Sequence, residues 1–171
     1  MGHEEHKKAA PLSIRVAVVT ASDSRGEAED TSGAFLRSAA SAAGHELVLY
    51  RVVKDEPDAI RAAVADALAA GAQAVLVNGG TGITARDRTY EAVAGLLDKR
   101  LDGFGELFRM LSYAEIGSAA MLSRAVAGVH RGAVLFSMPG STAAVRLAWE
   151  KLVGPELPHL ARELTRHGRA P

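Results

Sequence analysis

The chain contains no cysteine. That excludes disulfides, thiolate nucleophiles, cysteine-ligated zinc and iron–sulfur clusters, and it suits the cytoplasm. It also lacks any run of roughly 18 apolar residues, the length a helix needs to cross a bilayer, so no membrane association is expected. Residues 1–11 lack the apolar stretch of a signal peptide; His3, Glu4, Glu5, His6, Lys7 and Lys8 make this segment read as a flexible leader. An excess of either charge is missing too: 20 Lys and Arg face 20 Asp and Glu. Zero formal charge argues against a dominant nucleic-acid or anionic-membrane surface, while leaving room for a local phosphate site. Of the six histidines, His3 and His6 could form a weak surface metal site, and the other four show no ligand spacing. His3 and His6 belong to the leader, and His45, His130, His159 and His167 read as solvated turn or end residues. What remains is an ordinary globular composition, 48% hydrophobic and 23% charged over 171 residues, enough for one domain with a real core.

The hydrophobic pattern alternates strand and helix. Residues 14–20 (IRVAVVT) form a short β-branched run, followed by a polar loop over 21–30 and a helix over 31–43, with Asp30 or Thr31 as its N-cap and Gly44 as its stop. A strand over 47–53 leads to Pro57, which opens a helix ending at Gly71. The run 74–77 (AVLV) is a third strand, and helices follow over 89–97 and up to Ser112. Residues 122–129 and 133–137 are two further strand candidates; Ser141 caps a helix running to Leu152, and a last helix follows Pro158. Trp149 lies on an apolar helix face and reads as core or subunit interface. Short connections between alternating elements predict an α/β fold, a three-layer sandwich with a mostly parallel sheet covered by helices. No linker or repeat interrupts the chain, so residues 12–171 read as one domain.

Four polar or glycine-rich segments each follow a predicted strand: Ser22-Asp23-Ser24-Arg25, Lys54-Asp55-Glu56, Gly79-Gly80-Thr81-Gly82 and Pro139-Gly140-Ser141. Ligands of open α/β sheets bind outside the carboxyl ends of the strands, so a pocket is expected there. Gly79-Gly80-Thr81-Gly82 is the sharpest element, because glycines at positive φ can aim successive N–H groups at an anion. It lacks the spacing and the lysine of a P-loop, and a plain tight turn is the competing reading. Asp87 lies beyond it between Arg86 and Arg88, which could hold phosphate oxygens. Taken alone, Asp87 reads first as the cap of the helix near Thr89, and Asp55 as a cap of the Pro57 helix. Together, two carboxylates near a phosphate loop suit Mg²⁺-assisted phosphoryl or nucleotidyl transfer. Ser22, Asp23 and Ser24 read as a solvated loop unless they line that pocket, and Ser141 reads first as a cap.

Asn78-Gly79-Gly80-Thr81-Gly82 followed by Arg86-Asp87 and Thr89 resembles the TGGTG…RDxT signature of the MoaB/Mog family of molybdenum-cofactor proteins. Asp30-Thr31-Ser32-Gly33, Gly103 to Arg109, Glu115-Ile116-Gly117, Leu122-Ser123-Arg124-Ala125 and Met138 to Thr142 resemble its MoaB branch. The resemblance spans about residues 14–155, nearly the whole chain. It implies adenylylation of molybdopterin by ATP with Mg²⁺, giving adenylyl-molybdopterin and pyrophosphate. It implies Asp55 and Asp87 as the catalytic, metal-holding pair. Gly79, Gly80, Thr81 and Gly82 would hold phosphate, and Ser22, Asp23, Ser24, Pro139, Gly140 and Ser141 would serve as further substrate contacts. It also implies a homo-oligomer, trimer or hexamer, working beside other cofactor-synthesis proteins. Because some members of the branch have lost acidic residues, a non-catalytic molybdopterin-binding or scaffold role is the alternative. Asn78 stands where the family usually has Thr, and Arg88 where it is often apolar.

Overall fold

The computed structural model describes residues 13–165, so the expected leader and His167 lie outside the described residues. Its elements are β1 (Arg15–Ala21), α1 (Thr31–Ala42), β2 (Glu46–Val53), α2 (Pro57–Ala69), β3 (Ala74–Asn78), α3 (Thr89–Ala94), β4 (Lys99–Arg100), α4 (Asp102–Ile116), β5 (Val126–His130), β6 (Ala133–Met138), α5 (Thr142–Ala148) and α6 (Gly154–Thr165). The sheet order is β2-β1-β3-β6-β5-β4. β2, β1, β3 and β6 run parallel, and β5 and β4 complete the sheet in antiparallel pairing.

Period-two alternation divides the strand side chains between two cores. Val16, Val18, Leu76, Val134 and Phe136 meet residues of α1, α4, α5 and α6 on one face. Ala17, Val19, Val75, Val77 and Leu135 meet α2 and α3 on the other. Three layers result, as the alternating pattern predicts. From the central β1 the chain steps outward to β2, then back across β1 to β3. The carboxyl ends of β1 and β3 therefore flank the point where the connections diverge, the place where such sheets bind ligands.

Capping accounts for the helix starts. Asp30 accepts the Gly33 N–H at 2.9 Å and the Tyr50 hydroxyl at 2.9 Å, and Ser141 accepts the Ala144 N–H at 3.1 Å. A Cβ on Gly33 would lie 2.1 Å from the Asp30 carboxylate, so the cap also requires that glycine. Several elements and one turn histidine differ from the sequence reading. The fifth strand begins at Val126, not at 122, because Gly117–Leu122 is a 3-10 turn closed by Ser123 N–H to Ala120. β4 was not predicted: two exposed charged residues carry no periodicity. The last helix starts at Gly154 and contains Pro158, entered through a π turn over Trp149–Val153. His45 is not solvated but only 8% exposed, edge-on to the buried Trp149 ring at 6.3 Å between centroids.

Burial pushes the His45 imidazole below its ordinary 6.5, since the charged form loses its water. The unfolded chain therefore takes up a proton there before the folded one does, and stability is lost as pH falls through this window. Denaturant midpoints measured near pH 7.5 and near pH 5.5 should fall with acid less in His45→Asn than in the wild type. Equal acid sensitivity in both proteins would count against this assignment.

Candidate functional site

Because β1, β2, β3 and β6 are parallel, all four expected segments emerge at one edge of the sheet. An open depression of about 500 Å³ lies there, floored by Gly79 to Gly82 and walled by Asp87, Ser123 and Pro139 to Ser141. Arg25 reaches it; Ser22, Asp23 and Ser24 do not line it. The Ser22 hydroxyl instead accepts the Arg25 N–H at 3.1 Å and the Ser24 N–H at 3.4 Å, closing its own turn.

The loop glycines are demanded by close approach. Gly79 (φ 92°) and Gly80 (φ 60°) both occupy the left-handed region. A Cβ on Gly80 would lie 2.2 Å from the Asp55 carboxylate and 2.3 Å from the Thr89 hydroxyl; one on Gly82 would lie 2.6 Å from the Asp87 carboxylate. One glycine of the loop is thus packed against each of the two aspartates. Gly79 N–H is bound to Met138, and the Gly82 amide serves the Asp87 carboxylate. Among the described residues the Gly80 and Thr81 N–H groups have no protein acceptor, which leaves them available to donate to an anion.

Neither aspartate is a helix cap. Asp55 is buried, and its Oδ1 accepts the Arg88 N–H and the Thr89 hydroxyl, each at 3.3 Å. Asp87 accepts the Thr84 N–H at 2.9 Å and its hydroxyl at 2.5 Å. The helices α2 and α3 begin beyond Glu56 and Arg88, with no side-chain cap. Environment drives the two carboxyls apart. Burial raises Asp55 above its ordinary value, against the two hydrogen bonds, and the charges of Asp87 and Asp23 raise it further. The Thr84 hydroxyl bond holds Asp87 below.

The arginines divide differently from the sequence expectation. Arg86 is committed to carboxylates, reaching Asp23 at 2.7 Å and Glu56 at 2.9 Å, rather than left for phosphate. That pairing, with the Arg86 hydrogen bond foremost, holds the Asp23 carboxyl low, while Asp23 also accepts the Asp55 N–H at 3.1 Å. Asp23 therefore braces the segment carrying Asp55. A second depression of about 450 Å³ shares Ser123 and is lined by Tyr90, Arg100, Glu106, Arg109 and Arg124. Among the described residues the hydrogen-bond partners of the Arg124 side chain all lie more than thirty positions away, so periodicity and local spacing gave no role for it.

The model of the family described as "Probable molybdopterin binding domain" matches residues 16–159. Molybdenum cofactor biosynthesis protein B of Bacillus cereus is 54% identical over 168 residues, covering 97% of this chain and 99% of the relative. The chain belongs to the MoaB branch of the MoaB/Mog molybdopterin-binding family. A crystal structure of a molybdenum cofactor biosynthesis protein B aligns with TM-score 0.86 at 53% identity, covering 92% of this chain and 99% of that one. The tungsten cofactor synthesizing protein MoaB of Pyrococcus furiosus aligns with TM-score 0.85 at 40% identity, covering 91% and 99%.

The MoaB-branch motifs interlock around the site. The Ser32 hydroxyl donates to Gly140 O at 2.7 Å, and the Thr31 and Thr142 hydroxyls meet at 2.8 Å, tying the α1 motif to the α5 motif. On α4, a Cβ on Gly105 would lie 2.6 Å from Ala125 O, and Arg109 donates to Ser123 O and Ala125 O at 3.3 and 3.4 Å. These contacts fix the strand entry that carries Ser123 and Arg124 beside the glycine loop.

Proposed function

We propose that this MoaB-branch chain adenylylates molybdopterin, taking AMP from ATP and releasing pyrophosphate. The terminal phosphate of molybdopterin supplies the attacking oxygen: an O–P bond forms at the α-phosphorus as the bond to the β-phosphate oxygen breaks. The observation that carries this reading is the packing of Gly80 against Asp55 and of Gly82 against Asp87. It puts two carboxylates beside a loop with two unpaired amides, which suits anionic phosphates only if a cation lies between. The donor set fits Mg²⁺. Two hard oxygen ligands leave room for water and phosphate, and among the described residues no three-carboxylate or histidine cage is built. The raised carboxyl of Asp55, beside the charges of Asp87 and Asp23, is a place where a cation would relieve repulsion.

Asp55 and Asp87 would hold Mg²⁺, which when bound neutralises charge on the phosphates. The Gly80 and Thr81 amides orient the phosphate oxygens, and Arg25 and Ser141 lie where a second phosphate would reach. A phosphate nucleophile is already anionic near neutral pH, so no strong base is required and catalysis is mostly positioning. We place the reaction in the cytoplasm; no described helix is long and apolar enough to cross a membrane.

Purified protein incubated with molybdopterin, ATP and Mg²⁺ should give adenylyl-molybdopterin by chromatography, and Asp87→Ala should lower the rate about 10²-fold or more. Tight molybdopterin binding without product, in a folded and assembled protein, would favour a binding or scaffold role instead.

The same proposal includes a homo-oligomer, trimer or hexamer. Met110 and Tyr113 of α4 line one shallow apolar depression together with Met121 of the following 3-10 turn, and the three are 61–78% exposed. An apolar patch of this kind marks an association surface. Met110→Glu should lower the mass measured by light scattering toward that of the monomer, and an unchanged mass would remove this face from the interface.

A further inference from the structure

We infer that Arg124 is a positioning residue for the glycine loop and both aspartates; this rests on the adenylyltransferase reading above. Its guanidinium uses one edge as a fork. Nε donates to Thr81 O at 3.1 Å and Nη2 donates to Asp87 O at 3.0 Å. Those carbonyls stand at the two ends of the segment that carries Gly82, Thr84 and Asp87, so one planar group spans the loop and sets its width. The remaining nitrogen, Nη1, is paired with the Glu91 carboxylate, and the guanidinium lies 5.2 Å from the centre of the Tyr90 ring. All three nitrogens are thereby committed to protein groups.

The peptide unit joining Asp87 to Arg88 links Arg124 to Asp55. Its carbonyl accepts from Arg124, and its N–H donates to Asp55 Oδ1 at 3.3 Å. No cis peptide occurs among the described residues, so carbonyl and N–H point in opposite directions from one rigid plane. Arg124 and Asp55 therefore occupy the two ends of a single peptide group. The guanidinium fixes that plane and polarises the N–H that holds Asp55, while bounding the loop that holds Asp87. Thr89 extends the same lock, donating its N–H to Gly80 O at 3.0 Å and its hydroxyl to Asp55 Oδ1. Arg124 thus reaches the site through Thr81 and Asp87, and the spacing of the two aspartates depends on it. Lysine keeps the charge at this position but lacks the planar fork that meets two carbonyls.

Two measurements test this on the full chain. Hydrogen exchange of the peptide covering residues 81–89 should accelerate about tenfold in Arg124→Lys and in Arg124→Ala, with exchange in the strands near wild type. In steady-state assays kcat should fall about 10–100-fold in both variants, with the KM for ATP within about threefold of wild type. Glu91→Gln, which only loosens the brace behind Arg124, should move both readouts the same way by less. Wild-type exchange at 81–89 in Arg124→Ala would overturn the inference. A raised KM with unchanged kcat would also overturn it, because Arg124 would then be a substrate ligand. If the wild type makes no adenylyl-molybdopterin, the adenylyltransferase reading falls, and the exchange measurement alone decides whether Arg124 holds the loop.

Discussion

Asp55→Asn is expected to remove most turnover while leaving the protein at least as stable as the wild type. Both bonds to this carboxylate fall on Oδ1, so an asparagine with its carbonyl there keeps the Arg88 N–H and the Thr89 hydroxyl. What it loses is a negative charge that the fold holds at a cost. Burial is the largest cause of the raised carboxyl, with Asp87 and Asp23 adding to it. A carboxyl raised above its ordinary 3.8 contributes stability that is fully present below that value and lost as pH rises through the folded value. The advantage of the variant should therefore be present at neutral pH and vanish as the pH approaches 3.8. Turnover should fall about 10²-fold or more, because a neutral amide is a far weaker cation ligand than a carboxylate. Thermal denaturation at several pH values, beside the chromatographic assay, measures both. A variant less stable than wild type at neutral pH would mean that the charge is compensated in the folded protein. Undiminished turnover would remove Asp55 from the chemistry.

Gly79→Ala should be the most damaging of the glycine substitutions for stability. The residue has φ 92°, and an added Cβ would lie 2.2 Å from the carbonyl oxygen of Ala21. That oxygen is backbone at the end of β1, so it cannot rotate away as a side chain would. Left-handed strain and forced separation of β1 from β3 together should cost about 3 kcal/mol or more. For a chain of this size that is a fall in Tm of roughly 6–12 °C. Gly44→Ala is the internal comparison: its φ is 82°, but nothing lies within 4 Å of the added Cβ. It should lose only the conformational part, about 1 kcal/mol. If the two variants melt together, the close approach at Gly79 is not what demands glycine there.

These two residues show how far the sequence could be read. Gly79 stood out because a glycine run after an apolar strand has few explanations, and the loop lies where that reading put it. Asp55 was legible as a residue and ambiguous as a role. A carboxylate just before Pro57 suits a helix cap by local rules, and only its bonds to Arg88 and Thr89 and its packing against Gly80, all remote along the chain, show it facing the loop. Arg86 was misread for a related reason. Beside Asp87 in sequence it suggests a phosphate ligand, but the fold brings Asp23 and Glu56 to it and they take its charge. His45 next to Gly44 read as a solvated turn, whereas packing against Trp149 buries it.

By itself the sequence determined the alternation of strands and helices, the three layers, and the edge where the glycine loop and both aspartates gather. It did so because side-chain periodicity, caps and left-handed glycines are local properties, and because parallel connection of successive strands leaves one carboxyl edge for every loop. Tertiary structure alone decided which charges are paired and which carboxyl is raised. It also decided that Arg124 reaches back across the sheet edge to span Thr81 and Asp87. Those outcomes depend on distances between residues remote along the chain and on how much water each group loses, and neither quantity is encoded in local spacing.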